Sequence, residues 1–282
     1  MGIFNKKQSI NEKPLRQEYL FVVDRWDQFL QKIIQRFEQA LLQAEEVLLT
    51  NINQSDKDLD TTMQAWQGIK SQLMDLVNKT DVVFEEQVKP EMLQYVEHWQ
   101  IIDQSVKGSD IRNDLYRKID RFQIEIEGKI AEAFYQHTIQ ELDKDFYCTQ
   151  CGAELQVRKD IFRTHYVGCS YCETVNTFTP NEQVLQLRWV VERIAKYKAL
   201  PQWEAMQSVI EAQKQLPSPR TGEEKEKNIK LFNKREKAER TFWTTYYTIR
   251  SQYLPEYKDT IAYDVDVKMR WFYDERKRVL DY

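Results

Sequence analysis

Every cysteine in the chain falls in one short window: Cys148 and Cys151 in "CTQC", then Cys169 and Cys172 in "CSYC". Two thiolates two residues apart can share one tight turn and hold one edge of a tetrahedron. A second such pair completes it, with metal–sulfur distances of about 2.3 Å. The 17 residues between the pairs fall inside the range read as a zinc site. The expected cofactor is therefore a structural Zn2+, since four thiolates leave no open position for water or substrate. Iron held by similar knuckles is the competing chemistry, because soft thiolates suit it as well. Disulfides are the weaker reading in a chain that reads as cytoplasmic.

Gly152 follows the first pair, where such a turn calls for positive φ, and Gly168 precedes the second. Between the pairs, "AELQVRKD" and "FRTHYVG" are rich in strand formers and predict a small hairpin. Tyr147, Tyr166, Tyr171 and Phe178 are available to cover the apolar side of the metal. On "CTQCG" and "GCSYCETVNTF", residues 146–180 resemble a zinc ribbon of the four-cysteine kind. The resemblance implies a structural metal and an interaction surface. It implies no particular activity, because such modules serve many functions. His165 sits inside the window, as an alternative ligand or pH sensor on one reading. With the shell filled by thiolates it reads as a surface or packing histidine.

No other constellation points to chemistry. His98 and His137 fall in helical patterns among apolar neighbours and lack the companions that catalysis needs. There is no P-loop, dinucleotide fingerprint or H-E-x-x-H. Pairs such as Glu45–Glu46, Glu85–Glu86 and Asp264/Asp266 read as solvated faces in a chain with 45 acidic residues. The expectation is a protein that is not an enzyme.

The elements that must carry the cysteines read as helices. Seven glycines and seven prolines in 282 residues leave little for turns and hairpins, and 30% of residues are charged. From Pro14 to Leu49, Val22, Trp26, Phe29, Ile33, Ala40, Ala44 and Val47 recur at helical spacing. Val23, Leu30, Ile34, Phe37, Leu41 and Leu48 run beside them, a stripe wide enough for a multi-helix bundle. "NQSDKD" at 53–58 supplies a turn. A second helix over 58–79 is marked by Met63, Trp66, Ile69, Leu73 and Leu76, and Pro90 is expected to kink or restart it. "KGSD" at 107–110 reads as a stop glycine with cap residues. A third helix follows on Ile111, Leu115, Ile119, Phe122, Ile126, Ile130, Ala133 and His137, although "FQIEIEG" at 122–128 alternates like a strand.

Beyond the cysteines, Pro180–Asn181–Glu182 opens a helix to Ala199, and Pro201 begins the next in its first turn. "LPSPRTG" at 216–222 reads as a linker. Thr221 with Glu224 forms a capping-box pattern ahead of a charged helix that Pro255 ends. Residues 261–271 fit either period, and helix is preferred because no sheet partner is near. The tail from Phe242 to Arg278 interleaves rings with Arg and Lys. It can be bundle core, a protein interface or a stacking surface for single-stranded nucleic acid, in that order of preference.

The predicted fold class is mainly α: a long-helix bundle with an inserted small β zinc ribbon. The predicted parts are an N-terminal helical bundle or coiled-coil region (14–145), the ribbon (146–180) and a C-terminal helical region (181–282) packed with the N-terminal helices. Net charge is −8 over 1–145, 0 over 146–180 and +4 over 181–282, with no clustered basic footprint of the nucleic-acid-binding kind. No apolar run approaches the roughly 18 residues of a membrane span. The start lacks a secretory h-region and the pattern for myristoylation. The reading that fits best is a non-enzymatic zinc-binding scaffold or adaptor for protein partners or further copies of itself. A nucleic-acid-associated ribbon protein and a peripheral membrane-associated helical protein are the alternatives.

Overall fold

The computed structural model of the chain describes residues 17–54, 59–142, 146–156, 161–180, 182–214 and 221–280. Helices run over α1 (Gln17–Gln54), α2 (Leu59–Val83), α3 (Lys89–Met92), α4 (Ile102–Leu142), α5 (Glu182–Lys198), α6 (Leu200–Lys214), α7 (Gly222–Tyr253) and α8 (Ile261–Leu280). Two strands, β1 (His165–Gly168) and β2 (Val175–Phe178), form one antiparallel pair beside the cysteines. The protein is thus mainly α with a small β insertion. The polar start, residues 55–58 of the expected turn and residues 216–220 of the expected linker lie outside the described residues.

The chain packs as two compact units, one from residues 1–44 with 67–119, the other from 45–66 with 120–282. In the first, α1 buries Tyr19, Val22, Trp26, Leu30, Ile33 and Phe37. That line is narrower than the sequence predicts, with Val23, Phe29 and Ile34 only half-buried. Trp26 and Leu30 pack with Phe84, Val88, Met92 and Ile101. As expected, the α-helix restarts at Pro90, which sits in the first turn of α3. The chain runs from α2 through a π-helical turn at Phe84–Val88 into α3, and the Lys89 N–H donates to the Phe84 carbonyl. The i→i−5 pattern makes room for a residue without a donor. The turn comes after Met92, and Trp99 and Ile102 are exposed.

Gly108 is not a helix stop. It lies inside α4, and a Cβ there would meet Trp26 Cζ2 at 2.8 Å. The indole needs that missing methyl, and its Nε1 donates to the Gln104 carbonyl at 3.3 Å.

In the second unit, the strand-like alternation at 122–128 has a helical explanation. Phe122, Ile124, Ile126, Gly128 and Ile130 are all buried. Residues two apart on a helix are about 200° apart, so opposite faces of α4 must both be covered. Phe122 meets Trp66 with ring centroids 5.2 Å apart. A Cβ on Gly128 would lie 2.2 Å from Tyr197 Cβ, so α4 and α5 approach closely there. Ala131 and Phe134 share a core with Val184, Leu187, Val190, Val191 and Ile194 of α5. The helices that enter and leave the cysteine segment therefore lie against each other, as expected of a segment whose ends are close.

Pro201 sits in the first turn of α6. Thr221 caps α7, accepting from the Glu224 N–H at 3.2 Å while the Glu224 carboxylate accepts from the Thr221 N–H at 3.0 Å. Residues 261–280 are helical. Val265, Met269 and Phe272 are buried with Phe232 and Tyr247, while Tyr263 and Trp271 face solvent. Many of the tail's rings are thus core.

Candidate metal centre

The two cysteine pairs fold into two turns of the same design. The Cys148 N–H donates to the Ala153 carbonyl at 2.7 Å, and the Gly152 N–H to the Cys148 carbonyl at 2.9 Å. In the second turn the Cys169 N–H donates to the Thr174 carbonyl at 2.9 Å, and the Glu173 N–H to the Cys169 carbonyl at 3.0 Å. Each turn needs a left-handed residue after its second cysteine: Gly152 at φ 69° and Glu173 at φ 61°. The first was legible from the glycine. The second was hidden because a glutamate occupies it.

All four sulfurs lie within 4.8 Å of one another. Cys148 Sγ is 3.5 Å from Cys172 Sγ, and Cys151 Sγ is 3.6 Å from Cys169 Sγ. A tetrahedron with metal–sulfur bonds of about 2.3 Å has edges of about 3.8 Å, so the cluster has the size of a thiolate cage. All four cysteines are free thiols. The cluster can hold a metal ion, and it comprises the residues the sequence singles out: Cys148, Cys151, Cys169 and Cys172. Cys148 and Cys169 are buried, while Cys151 is exposed.

The thiols are not equivalent. Backbone N–H groups, that of Cys151 foremost and Gln150 behind it, bring the Cys148 thiol down to about 6, with help from Cys172 and Asn176. At Cys151 the Ala153 N–H pulls downward, but the other three sulfurs and burial push the thiol up to about 12. The Thr174 hydroxyl, then its N–H, lowers Cys172. One thiolate forms readily and another is resisted by its neighbours, the pattern of a set that needs a cation before all four can ionise.

Asn176 of β2 ties the two turns together and carries no sequence signal. It is buried, and its Oδ1 accepts from the Thr149 N–H at 2.9 Å and the Thr149 hydroxyl at 3.0 Å. Its Nδ2 donates to the Thr174 carbonyl at 3.0 Å and faces Cys148 Sγ at 3.6 Å. The Thr174 hydroxyl reaches Gln150 Oε1 and lies 3.3 Å from Cys172 Sγ.

The hairpin differs from the expected one. β1 and β2 flank the second cysteine pair, with His165 opposite Phe178 and Gly168 opposite Val175. Among the described residues the first pair has only an isolated bridge, Tyr147 with Glu154, and residues 157–160 of the expected first strand lie outside the described residues. The apolar cover differs too. Leu155, Val167 and Phe178 bury against Cys148 and Cys169, with Phe146 beside them. Phe178 is the one predicted ring that serves, whereas Tyr147, Tyr166 and Tyr171 are exposed. His165 packs on Phe178 with centroids 5.2 Å apart, and its Nδ1 pairs with the Arg163 carbonyl at 2.9 Å. It is not among the gathered ligand atoms. His98 is exposed in the turn before α4, and His137 is half-buried in α4.

Phe162, between the cysteine pairs, enters the core of α4 and α5, and the Arg188 guanidinium lies over its ring at 5.6 Å. It anchors the cysteine segment to the helices. Among the described residues no helix is long and apolar enough to cross a membrane. Comparison with protein-family models, with curated proteins and with solved structures finds no match for the chain.

Proposed function

We propose that the protein is a non-enzymatic scaffold or adaptor in which one structural zinc holds a small ribbon rigid on a helical body. The observation that carries this reading is the closed set of four sulfurs, which leaves a bound ion no vacant ligand position. A metal that cannot take substrate or water serves shape. The shape it serves here presents Tyr147, Tyr166, Tyr171 and Val175 to solvent. Tyrosines offer contact area at low entropic cost and are enriched where proteins meet. The partner is accordingly a protein, a second copy of the chain being one form. Four cysteines given over to a metal rather than to disulfides fit a reducing compartment.

Elemental analysis of the purified chain is expected to give one zinc per chain. A partner that co-purifies with the wild type is expected to be lost from the Y166A/Y171A variant while its zinc stays bound. Iron in place of zinc, or partner retention by that variant, overturns the respective half of the reading.

A further inference from the structure

A second feature lies apart from the cysteines, in the unit that holds α5, α6, α7 and α8. These helices, with Glu127 of α4, line a half-open cavity of about 520 Å³, within the range of small-molecule pockets. Its walls are aromatic: Trp189, Trp203, Trp243 and Tyr246 line it. Trp189 stands at 69% exposure, an indole left facing solvent where most large rings of the unit are covered. Trp243 and Tyr246 meet edge to face at 5.8 Å, which fixes the orientation of both rings.

The charge in the cavity is one-sided. Four cations line it, Arg193, Lys196, Arg250 and Lys268, against two carboxylates, Glu127 and Glu192. Glu127 answers Arg193 at 3.5 Å, and Glu192 reaches Arg250 only at 3.9 Å. Among the described residues Lys196 and Lys268 have no carboxylate partner, and Lys268 leans over the Trp243 ring at 5.0 Å. Two positive charges are left over.

Arg250 is the sharpest sign. Its side chain is 16% exposed. It lies over the Tyr257 ring at 4.1 Å, and its Nε is buried without a hydrogen-bond partner. Among the described residues its guanidinium makes no hydrogen bond of ordinary length. A buried guanidinium with idle donors is costly unless an anion completes it. Burial and the Glu192 charge hold the Tyr246 phenol neutral, so its hydroxyl remains a donor.

From the cavity, its rings, the two lysines without a carboxylate partner and a guanidinium that Glu192 reaches only at 3.9 Å, we infer that this pocket binds a small anion carried on a planar aromatic ring, of the nucleoside monophosphate class. The ring stacks on the indoles, as bases do on aromatic side chains. The anion takes the Arg250 fork, with Lys196 and Lys268 at the mouth. Aromatic carboxylates share this chemistry, and the experiment separates the two sources. The inference does not rest on the zinc-scaffold reading, since no cysteine lines the pocket.

The test uses the full zinc-loaded chain and tryptophan fluorescence, with AMP and UMP as probes and adenosine, uridine and inorganic phosphate as controls. Nicotinate, which does not fluoresce in the tryptophan band, is the carboxylate arm. Either a nucleotide or nicotinate is expected to quench saturably, and the tighter of the two names the source. Each control should bind at least about tenfold more weakly, because it holds half of the recognised chemistry. Arg250→Gln is expected to weaken binding by about tenfold or more. The exposed pair Lys196→Gln and Lys268→Gln, which leaves the core untouched, should weaken it severalfold and flatten its salt dependence. No saturable quenching by either arm up to about 1 mM, or unchanged affinity in the double lysine variant, overturns the inference.

Discussion

The cysteine ribbon and the α6–α7–α8 assembly solve the same problem by opposite means. The ribbon buries few apolar side chains, chiefly Leu155, Val167 and Phe178, around its sulfurs. Each supplies about 1.5–3 kcal/mol, against an ordering cost of about 1–2 kcal/mol for every residue fixed. So small a core needs a cross-link, and four thiolates provide the site for one. The helical assembly has Phe232, Phe242, Tyr247, Val265, Met269 and Phe272 in its interior. At its centre one buried guanidinium joins three helices. Arg235 of α7 donates to Glu239 at 2.6 Å, to Gln213 of α6 at 2.9 Å and to Glu275 of α8 at 2.9 and 3.1 Å. One region has the sulfurs to take an ion from outside, the other carries its own charges.

Removing the ion is the largest way to break that contrast. Structural zinc in small sites is worth about 10–16 kcal/mol at neutral pH. Cys169→Ser, or a strong chelator, is expected to abolish amide-exchange protection across 146–180 while far-UV circular dichroism keeps its helical signal. Loss of the helical signal in the same step would show that the two regions are one cooperative body. Acid should act like the chelator. With Cys151 pushed up to about 12, the metal-free set still holds protons at neutral pH. Loading expels them, so zinc affinity rises with pH and falls as pH drops. A pH-independent affinity would remove the thiolates as ligands.

The converse cut is Arg235→Ala. Its side chain is 5% exposed, and the change strands Glu239, at 8%, inside the assembly. Breaking a buried pair from one side costs about 3–5 kcal/mol. The urea midpoint should fall accordingly, with zinc stoichiometry unchanged. Arg235→Met, which replaces the charge by apolar volume, should cost less than the alanine. Equal losses would mean that charge, not packing, is what Arg235 contributes.

What could be read from the sequence follows the range over which each signal acts. The cysteine spacing, the Thr221/Glu224 box, Pro201 and the turn at Gly152 are local devices, and each stands where its neighbours in sequence require it. Gly108 was misleading because a glycine that ends a helix and one that admits a distant indole look alike in sequence. Trp26, 82 positions earlier, decides between them. Gly128 and the alternation around it repeat the lesson, since Tyr197 and Trp66, both distant in sequence, cover that stretch. The three tyrosines of the ribbon were expected over the sulfurs, and all three are exposed. With the strands flanking the second pair, Tyr166 lies on the outer face of β1. Asn176 gave no signal, because its role exists only once β2 lies against the first turn.

Asn176 also sharpens the contrast at intermediate scale. In the helical assembly a buried polar group joins partners of opposite charge. In the ribbon a neutral amide must serve both turns and a sulfur. Asn176→Asp keeps the Oδ1 acceptor but replaces the Nδ2 donor with a carboxylate facing Cys148 Sγ. Outer-shell substitutions of this kind typically cost 10–100-fold in metal affinity, about 1.4–2.8 kcal/mol. Competition with a chromogenic chelator reads the change directly. Affinity within about twofold of the wild type would reduce Asn176 to a packing residue.

The smallest effect isolates the backbone of the two turns. A non-glycine residue in the left-handed region costs about 1–2 kcal/mol, and Glu173 bears that cost where Gly152 does not. Glu173→Gly should therefore tighten zinc binding, by up to about fivefold for 1 kcal/mol recovered. It also removes a negative charge next to the thiolates, which helps in the same direction. Glu173→Gln removes the charge but keeps the strained φ, so the difference between the two variants belongs to the backbone alone. The mirror change, Gly152→Ala, installs the strain in the first turn, and its Cβ meets nothing within 4 Å. It should weaken binding by about the amount that separates glycine from glutamine at 173. If glutamine and glycine bind zinc equally, the strain at Glu173 is already relieved within the turn, and the asymmetry between the two turns is electrostatic.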